Sequence, residues 1–201
     1  MDEKKEKVFE KKEELIEAAV NEFGERGYEN ASLNNILKEA GISKGTFYYH
    51  FKNKEDLYFY LISMFIEEKK SFFTNNIKPE DFNKSIFDLL KIMTEAGLKF
   101  ASQNPNISRF SETFMKERDS EINRKMLERF SFKNNNYFES LIENAYSKGE
   151  LRKDIPKSFV KHIITYLFTH LQDIVRIENI EDYEPAAYYL IEFMKNGLGE
   201  K

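Results

Sequence analysis

The sequence predicts an all-α chain, and three observations carry that prediction. Apolar residues recur at three- and four-residue spacing over most of the length. Only four prolines and eight glycines interrupt 201 residues. Helix-capping side chains and helix-ending glycines fall at the edges of the periodic runs. About nine helices are expected, in a packed globule with disorder confined to the ends, since hydrophobic residues make up 41% of the chain.

The most legible elements lie between Ser32 and Leu57. Ser32 is placed to cap a helix by accepting from a free backbone N–H, and Leu33, Ile36, Leu37 and Ala40 then follow at helical spacing. Gly41 stands where a helix end calls for positive φ, which glycine adopts without steric cost. Ser43 caps the next helix, and Ile42 with Phe47 has the spacing of a hydrophobic staple. Asn53 caps a further one, with Glu55 and Asp56 in its first turn, where the helix dipole favours acids. Two short helices joined by a held turn make a helix-turn-helix, a device for seating one helix in the major groove of DNA.

The middle helix shows what the elbow serves. From Ala40 to Lys54 there is no acid, while Lys44, Lys52 and Lys54 are basic and Thr46, Tyr48, Tyr49 and His50 offer hydroxyls, rings and an imidazole. Gly45 removes a side chain where a partner's backbone must come close, and Lys44 and Thr46 flank it as candidate base readers. Phe47 and Phe51, four apart, share the inward face. Taken singly, Tyr48, Tyr49 and His50 suit the cover of a small core; taken as one window, they suit a polyanion.

These residues resemble the DNA-binding domain of the tetracycline-repressor (TetR) family of bacterial transcription regulators. The resemblance rests on Ser32, Ile36, Ala40-Gly41-Ile42-Ser43, Gly45, Tyr48-Tyr49, His50-Phe51, Lys54 and Leu57. The run Ile16 to Phe23, followed by Gly27-Tyr28, is similar to that family's first helix and its exit, so the likeness spans roughly Glu14 to Leu57. Leu37 departs from it, standing where the family usually has alanine. The resemblance implies that Ser32, Tyr48, His50 and Lys54 grip phosphates, while Asn34, Lys44, Gly45, Thr46 and Tyr49 lie at or near bases. Phosphate grips set register and base contacts set sequence preference.

Bulk charge points the other way. The net charge is −4, and Met1 to Tyr60 holds thirteen acids against ten lysines and arginines, so only local patterning suggests nucleic acid. The acids sit mainly on the first helix, and modest non-specific affinity is expected. The absence of cysteine excludes disulfides, thiolate zinc sites and cysteine nucleophiles. No signal peptide or membrane-spanning run is present, so a soluble cytoplasmic chain without a membrane partner is expected.

Beyond Leu57 the pattern stays helical. Leu57, Leu61, Met64 and Phe65 mark a fourth helix to about Thr74, ended by the loop near Lys78-Pro79. Ile86 to Phe100 forms a fifth, Asn104-Pro105 opens a sixth through Phe110, Phe114 and Met115, and Ile122 to Tyr146 makes a long seventh. Ser158 to Ile177 and Ala186 to Leu198 are the eighth and ninth. Residues 1–53 are expected to form the helix-turn-helix domain, and 54–201 a helical domain for effector binding and dimerisation.

The last two helices carry more apolar surface than one protomer's core readily covers. Ile163, Leu167, Leu171, Ile174, Tyr189 and Phe193 are therefore candidates for a homodimer interface. In the resembled family the last two long helices of each subunit form such an interface, and helix-turn-helix readers commonly bind two half-sites. Phe65, Phe110, Phe114, Tyr137, Phe138 and Tyr166 lie on the helices that enclose a ligand in that family, which makes them candidates to line a pocket for an apolar or aromatic effector.

No catalytic or cofactor motif is found: His162 and His170 are eight apart without an HExxH pattern, and there is no GxSxG, P-loop or GxGxxG. The expected function is a homodimeric, DNA-binding transcription repressor, not an enzyme and with no cofactor. A small unidentified molecule is expected to release it from a palindromic duplex operator. The alternative is a DNA-anchored module whose C-terminal part binds a protein.

Overall fold

The computed structural model describes residues 9–117, 120–175 and 180–200. Ten α-helices lie among them: α1 (Lys12–Asn30), α2 (Leu33–Ala40), α3 (Lys44–His50), α4 (Lys54–Asn76), α5 (Ile86–Gln103), α6 (Pro105–Lys116), α7 (Glu121–Ser147), α8 (Lys157–Thr169), α9 (Leu171–Val175) and α10 (Ile180–Leu198). A short 3₁₀ turn spans Pro79–Asn83, and an isolated bridge joins Leu151 to Gly199.

The elbow forms by local hydrogen bonding. Ser32 Oγ accepts from Asn35 N at 3.4 Å, Ser43 Oγ from Thr46 N at 3.0 Å, and Asn53 Oδ1 from Asp56 N at 2.8 Å. Lys52 N donates back to Asp56 Oδ2 at 3.0 Å, which closes a reciprocal cap on α4. Gly41 sits at φ 62°, and Ile42 N reaches back to Leu37 O at 3.0 Å, so α2 ends in a left-handed turn. Leu37, the departure from the family pattern, is buried.

The chain packs as two compact units, 1–69 with 101–128 and 70–100 with 129–201. Packing divides the chain within α4, and it returns α6 to the first unit. There Gly24 of α1 lets α6 approach closely: a Cβ at Gly24 would stand 3.5 Å from the backbone N of Phe110. Thr113 Oγ1 donates to Gly24 O at 2.6 Å.

Phe110 then completes a ring cluster, with its centroid 5.2 Å from Tyr58, 5.2 Å from Phe65 and 6.4 Å from Phe23. Burial, with the nearby Glu117 carboxylate and the Tyr28 hydroxyl, pushes the Tyr58 phenol up from its ordinary pKa, so it stays neutral.

In the second unit, Ile86, Phe87 and Leu90 of α5 share a core with Ile142 and Ala145 of α7, Val160 and Ile164 of α8, Leu171 of α9, and Ala187, Ile191 and Met194 of α10. Polar ties join α5 to α10: Lys91 Nζ to Glu192 Oε1 and Tyr188 Oη to Glu95 Oε1, both at 2.6 Å.

Two boundaries differ from expectation. The predicted eighth helix divides at His170 (φ −109°, ψ 17°), whose Nδ1 lies 2.9 Å from Tyr166 O while its backbone N–H still donates to the same carbonyl at 3.0 Å. The final helix begins at Ile180 rather than Ala186, because Pro185 near a helix start deletes one backbone bond without ending the helix.

Candidate nucleic-acid interface

α3 is held from one side and open on the other. Phe47 is fully buried and Phe51 nearly so, whereas Tyr48 and Tyr49 are 55% and 68% exposed and Lys44, Gly45, Thr46 and Lys52 are also exposed. The fold does not require the glycine. A Cβ at Gly45 would meet nothing nearer than Ser43 Oγ at 3.7 Å, and its φ is not positive. Glycine within a helix costs about 0.5–1 kcal/mol relative to alanine, and no contact within the protomer offsets that cost. Thr46 is partly committed already, its hydroxyl 2.9 Å from Ser43 Oγ.

The entry to α2 is set by a residue that the sequence reading passed over. Glu22 of α1 is buried, and its Oε1 accepts from Ser32 N at 2.9 Å and from the Asn35 side-chain amide at 3.3 Å, with Arg26 Nε 3.4 Å away. One carboxylate thereby anchors the turn that presents Ser32 and exposed Asn34. The available signal was an acid flanked by Ala19, Val20 and Phe23 on the inward side of a helix. Ser32 Oγ uses a lone pair in its cap, which leaves the O–H to donate elsewhere.

Lys54 is engaged within the chain. Its Nζ donates to Tyr28 O at 2.6 Å, Ala31 O at 3.0 Å and Glu29 O at 3.4 Å, and lies 4.5 Å from the Tyr28 ring centroid. Three carbonyls at the end of α1 take the three N–H donors expected to hold a phosphate, because Gly27, at φ 72°, breaks the helix there and turns those carbonyls toward α4. The Gly27 turn is closed from behind by Glu117, whose Oε2 accepts from Tyr28 N at 3.2 Å; a Cβ on Gly27 would overlap that carboxylate. Nearby, Lys125 Nζ pairs with Glu55 Oε2 at 2.7 Å and Glu121 Oε1 at 3.3 Å, and these hydrogen bonds hold its ammonium above the usual lysine pKa. His50 is half-buried and stacks on Phe9, and Lys11 Nζ donates to Gly41 O at 3.0 Å.

The remaining candidates fall in different settings. Phe65 and Phe110 are core residues of the first unit, packed ring on ring, and Phe114, four residues after Phe110 on α6, is half-buried. Tyr166, in the second unit, is 56% exposed and stacks on His170 at 4.0 Å. The side chains of Tyr137 and Phe138 lie outside the described residues.

Of the interface candidates, Leu171 is 1% exposed within a single chain and belongs to the core, with Ile163 and Leu167 packed against it. Ile174, Tyr189 and Phe193 are exposed, and the structure adds Phe159 and Val175. Among the described residues no group of three or more His, Asp or Glu could hold a metal, and no helix is long and apolar enough to cross a membrane.

This geometry defines a helix-turn-helix protein. Residues 9–61 match the family model described as bacterial regulatory proteins, tetR family. The match is confined to this N-terminal stretch, which is similar to the DNA-binding domain of that family.

An HTH-type transcriptional regulator of Staphylococcus aureus is 35% identical over 100 residues, which cover 50% of this chain and 52% of that protein. The match thus spans about half the length of the curated relatives. At the level of fold the similarity runs over nearly the whole chain. A TetR family transcriptional regulator from Chloroflexus aurantiacus superposes with a TM-score of 0.70 at 23% identity, covering 98% of this chain and 96% of that one. The transcriptional regulator FadR from Bacillus subtilis, solved in complex with stearoyl-CoA, gives 0.68 at 20% identity, covering 92% and 98%.

Proposed function

We propose that this protein is a DNA-binding transcription repressor that acts as a homodimer on a palindromic operator and is released by a small apolar molecule. In this reading residues 1–53 read DNA, and 54–201 dimerise and bind the effector. The observation that carries DNA recognition is Gly45: an exposed helical glycine with no neighbour to make room for, set among Lys44, Thr46, Tyr48 and Tyr49 in an acid-free window. Tyr48, His50 and Ser32 hold phosphates, with Lys52 taking the place once expected of Lys54, while Asn34, Lys44, Thr46 and Tyr49 face bases. Homodimerisation is supported by the rings of Phe159 and Tyr166, seven apart on α8, and Tyr189 and Phe193, four apart on α10, all more than half exposed. The effector reading is supported by the family resemblance and by the acyl-CoA bound to one neighbour in fold.

Gly45→Ala tests the central claim, since it adds helix propensity while filling the space reserved for DNA. Binding to a duplex selected by the wild-type protein from a random pool is expected to fall at least about tenfold with thermal stability equal or higher. Unchanged affinity would remove α3 from the groove. The effector is tested by reciprocity: a ligand found by thermal-shift screening must bind more weakly with that duplex present, by the factor with which it weakens duplex binding.

A further inference from the structure

His50 closes α3, and its imidazole is held from outside the helix-turn-helix. The ring of Phe9, ahead of α1, lies 3.9 Å from the imidazole with the two planes 9° apart, and the Tyr49 ring stands at 84° to it, 4.9 Å away. Phe9 is itself fixed. Its carbonyl accepts from Lys12 N at 3.2 Å, its ring lies 6.5 Å from that of Phe51, and Lys12 Nζ sits 5.1 Å over Tyr60, which meets Phe51 edge-on at 5.5 Å. Two residues on, Lys11 Nζ donates to Gly41 O at 3.0 Å. The segment 9–12 therefore reaches both the elbow and the far end of α3.

Such a stack has a directional consequence. A ring N–H grips a phosphate oxygen only along a narrow range of angles, and an unsupported histidine at a helix end samples several rotamers that binding must freeze. With one face covered by Phe9 and Tyr49 set perpendicular, the imidazole keeps its edge for a partner. We propose that Phe9 is a positioning residue for DNA binding, which orients His50 toward the phosphate backbone before DNA arrives. This rests on the reading of His50 as a phosphate grip.

A double-mutant cycle tests it, with the selected duplex as probe. Phe9→Leu is expected to weaken binding about three- to tenfold in the wild-type background, the worth of one aromatic pair, and less than about twofold in a His50→Asn background. Phe9→Tyr, which keeps the ring, should restore affinity. In proton NMR of the free protein, the His50 ring resonances, assigned by their loss in His50→Asn, should move downfield in Phe9→Leu as the ring current is removed, with the melting temperature reported alongside.

Effects that add across the two positions would show that Phe9 acts apart from His50. Unmoved ring resonances would show that the stack does not form in solution. If His50→Asn binds as wild type while the resonances still respond to Phe9→Leu, the phosphate reading of His50 has failed and the positioning role falls with it, although the stack stands.

Discussion

Two regions carry rings at helical spacing and do opposite things with them. In the first unit Phe23, Tyr58, Phe65 and Phe110 pack ring against ring, each no more than 9% exposed. On α8 and α10, Phe159, Tyr166, Tyr189 and Phe193 are between 55% and 77% exposed. The residue types and spacings are alike. What differs is the arriving partner: α6 lies along α1 and supplies Phe110, whereas no described element of the chain covers the outer rings of α8 and α10. An aromatic stripe states a demand for burial and leaves open who meets it. In the first unit the chain meets it; in the second we assign that role to another copy.

The sharpest way to break the comparison is to remove a ring from each region. Phe110→Ala is expected to lower protomer stability by about 3–5 kcal/mol, read by chemical denaturation, because it opens a cavity among three other rings. A cost under about 1 kcal/mol would mean that the cluster is loosely packed and that Phe110 lines open space, as the pocket expectation held.

Leu171 and Ile174 form the next test, since both were expected at an interface and the structure separates them. Leu171→Ala should cost about 2–5 kcal/mol of protomer stability, while Ile174→Ala should leave the protomer near wild type, within about 0.5 kcal/mol, and act on association instead. Equal effects on folding would place both in the core.

Phe193→Asp addresses the exposed face directly. A carboxylate set into an apolar dimer interface is expected to weaken association by about 3 kcal/mol or more, shifting sedimentation from dimer to monomer with helix content retained. Duplex affinity should fall with it, because one half-site engages fewer phosphates. A dimer that persists would move the interface away from α10.

The smallest effects separate two neighbouring lysines. Lys54→Ala is expected to reduce stability by about 1–3 kcal/mol, since it leaves three carbonyls at the end of α1 without their donor. Lys52→Ala should leave stability unchanged and lower the salt slope of duplex binding by about one unit. The reverse pattern would return the phosphate grip to Lys54.

How much was legible follows the range of each interaction. Ser32, Gly41, Ser43 and Asn53 were readable as caps and stops because each satisfies backbone groups within a few residues of itself, and Phe47 with Phe51 revealed the buried side of α3 by spacing alone. Lys54 was readable only as a cation in a basic window; its acceptors lie 23 to 26 residues away, brought there by the turn at Gly27. Phe9 and Lys11 gave no local pattern for the same reason, whereas Glu22 was marked only by its apolar neighbours on α1.

The sequence by itself determined the helical class, the elbow and the open face of α3, because local hydrogen bonds and helical periodicity leave those elements few alternatives. Tertiary structure decided that Phe65 and Phe110 are core, that Leu171 faces inward while Tyr189 and Phe193 face out, and that Lys54 caps α1. Burial is non-directional and long side chains reach many partners, so those outcomes depend on which helix arrives to cover which face.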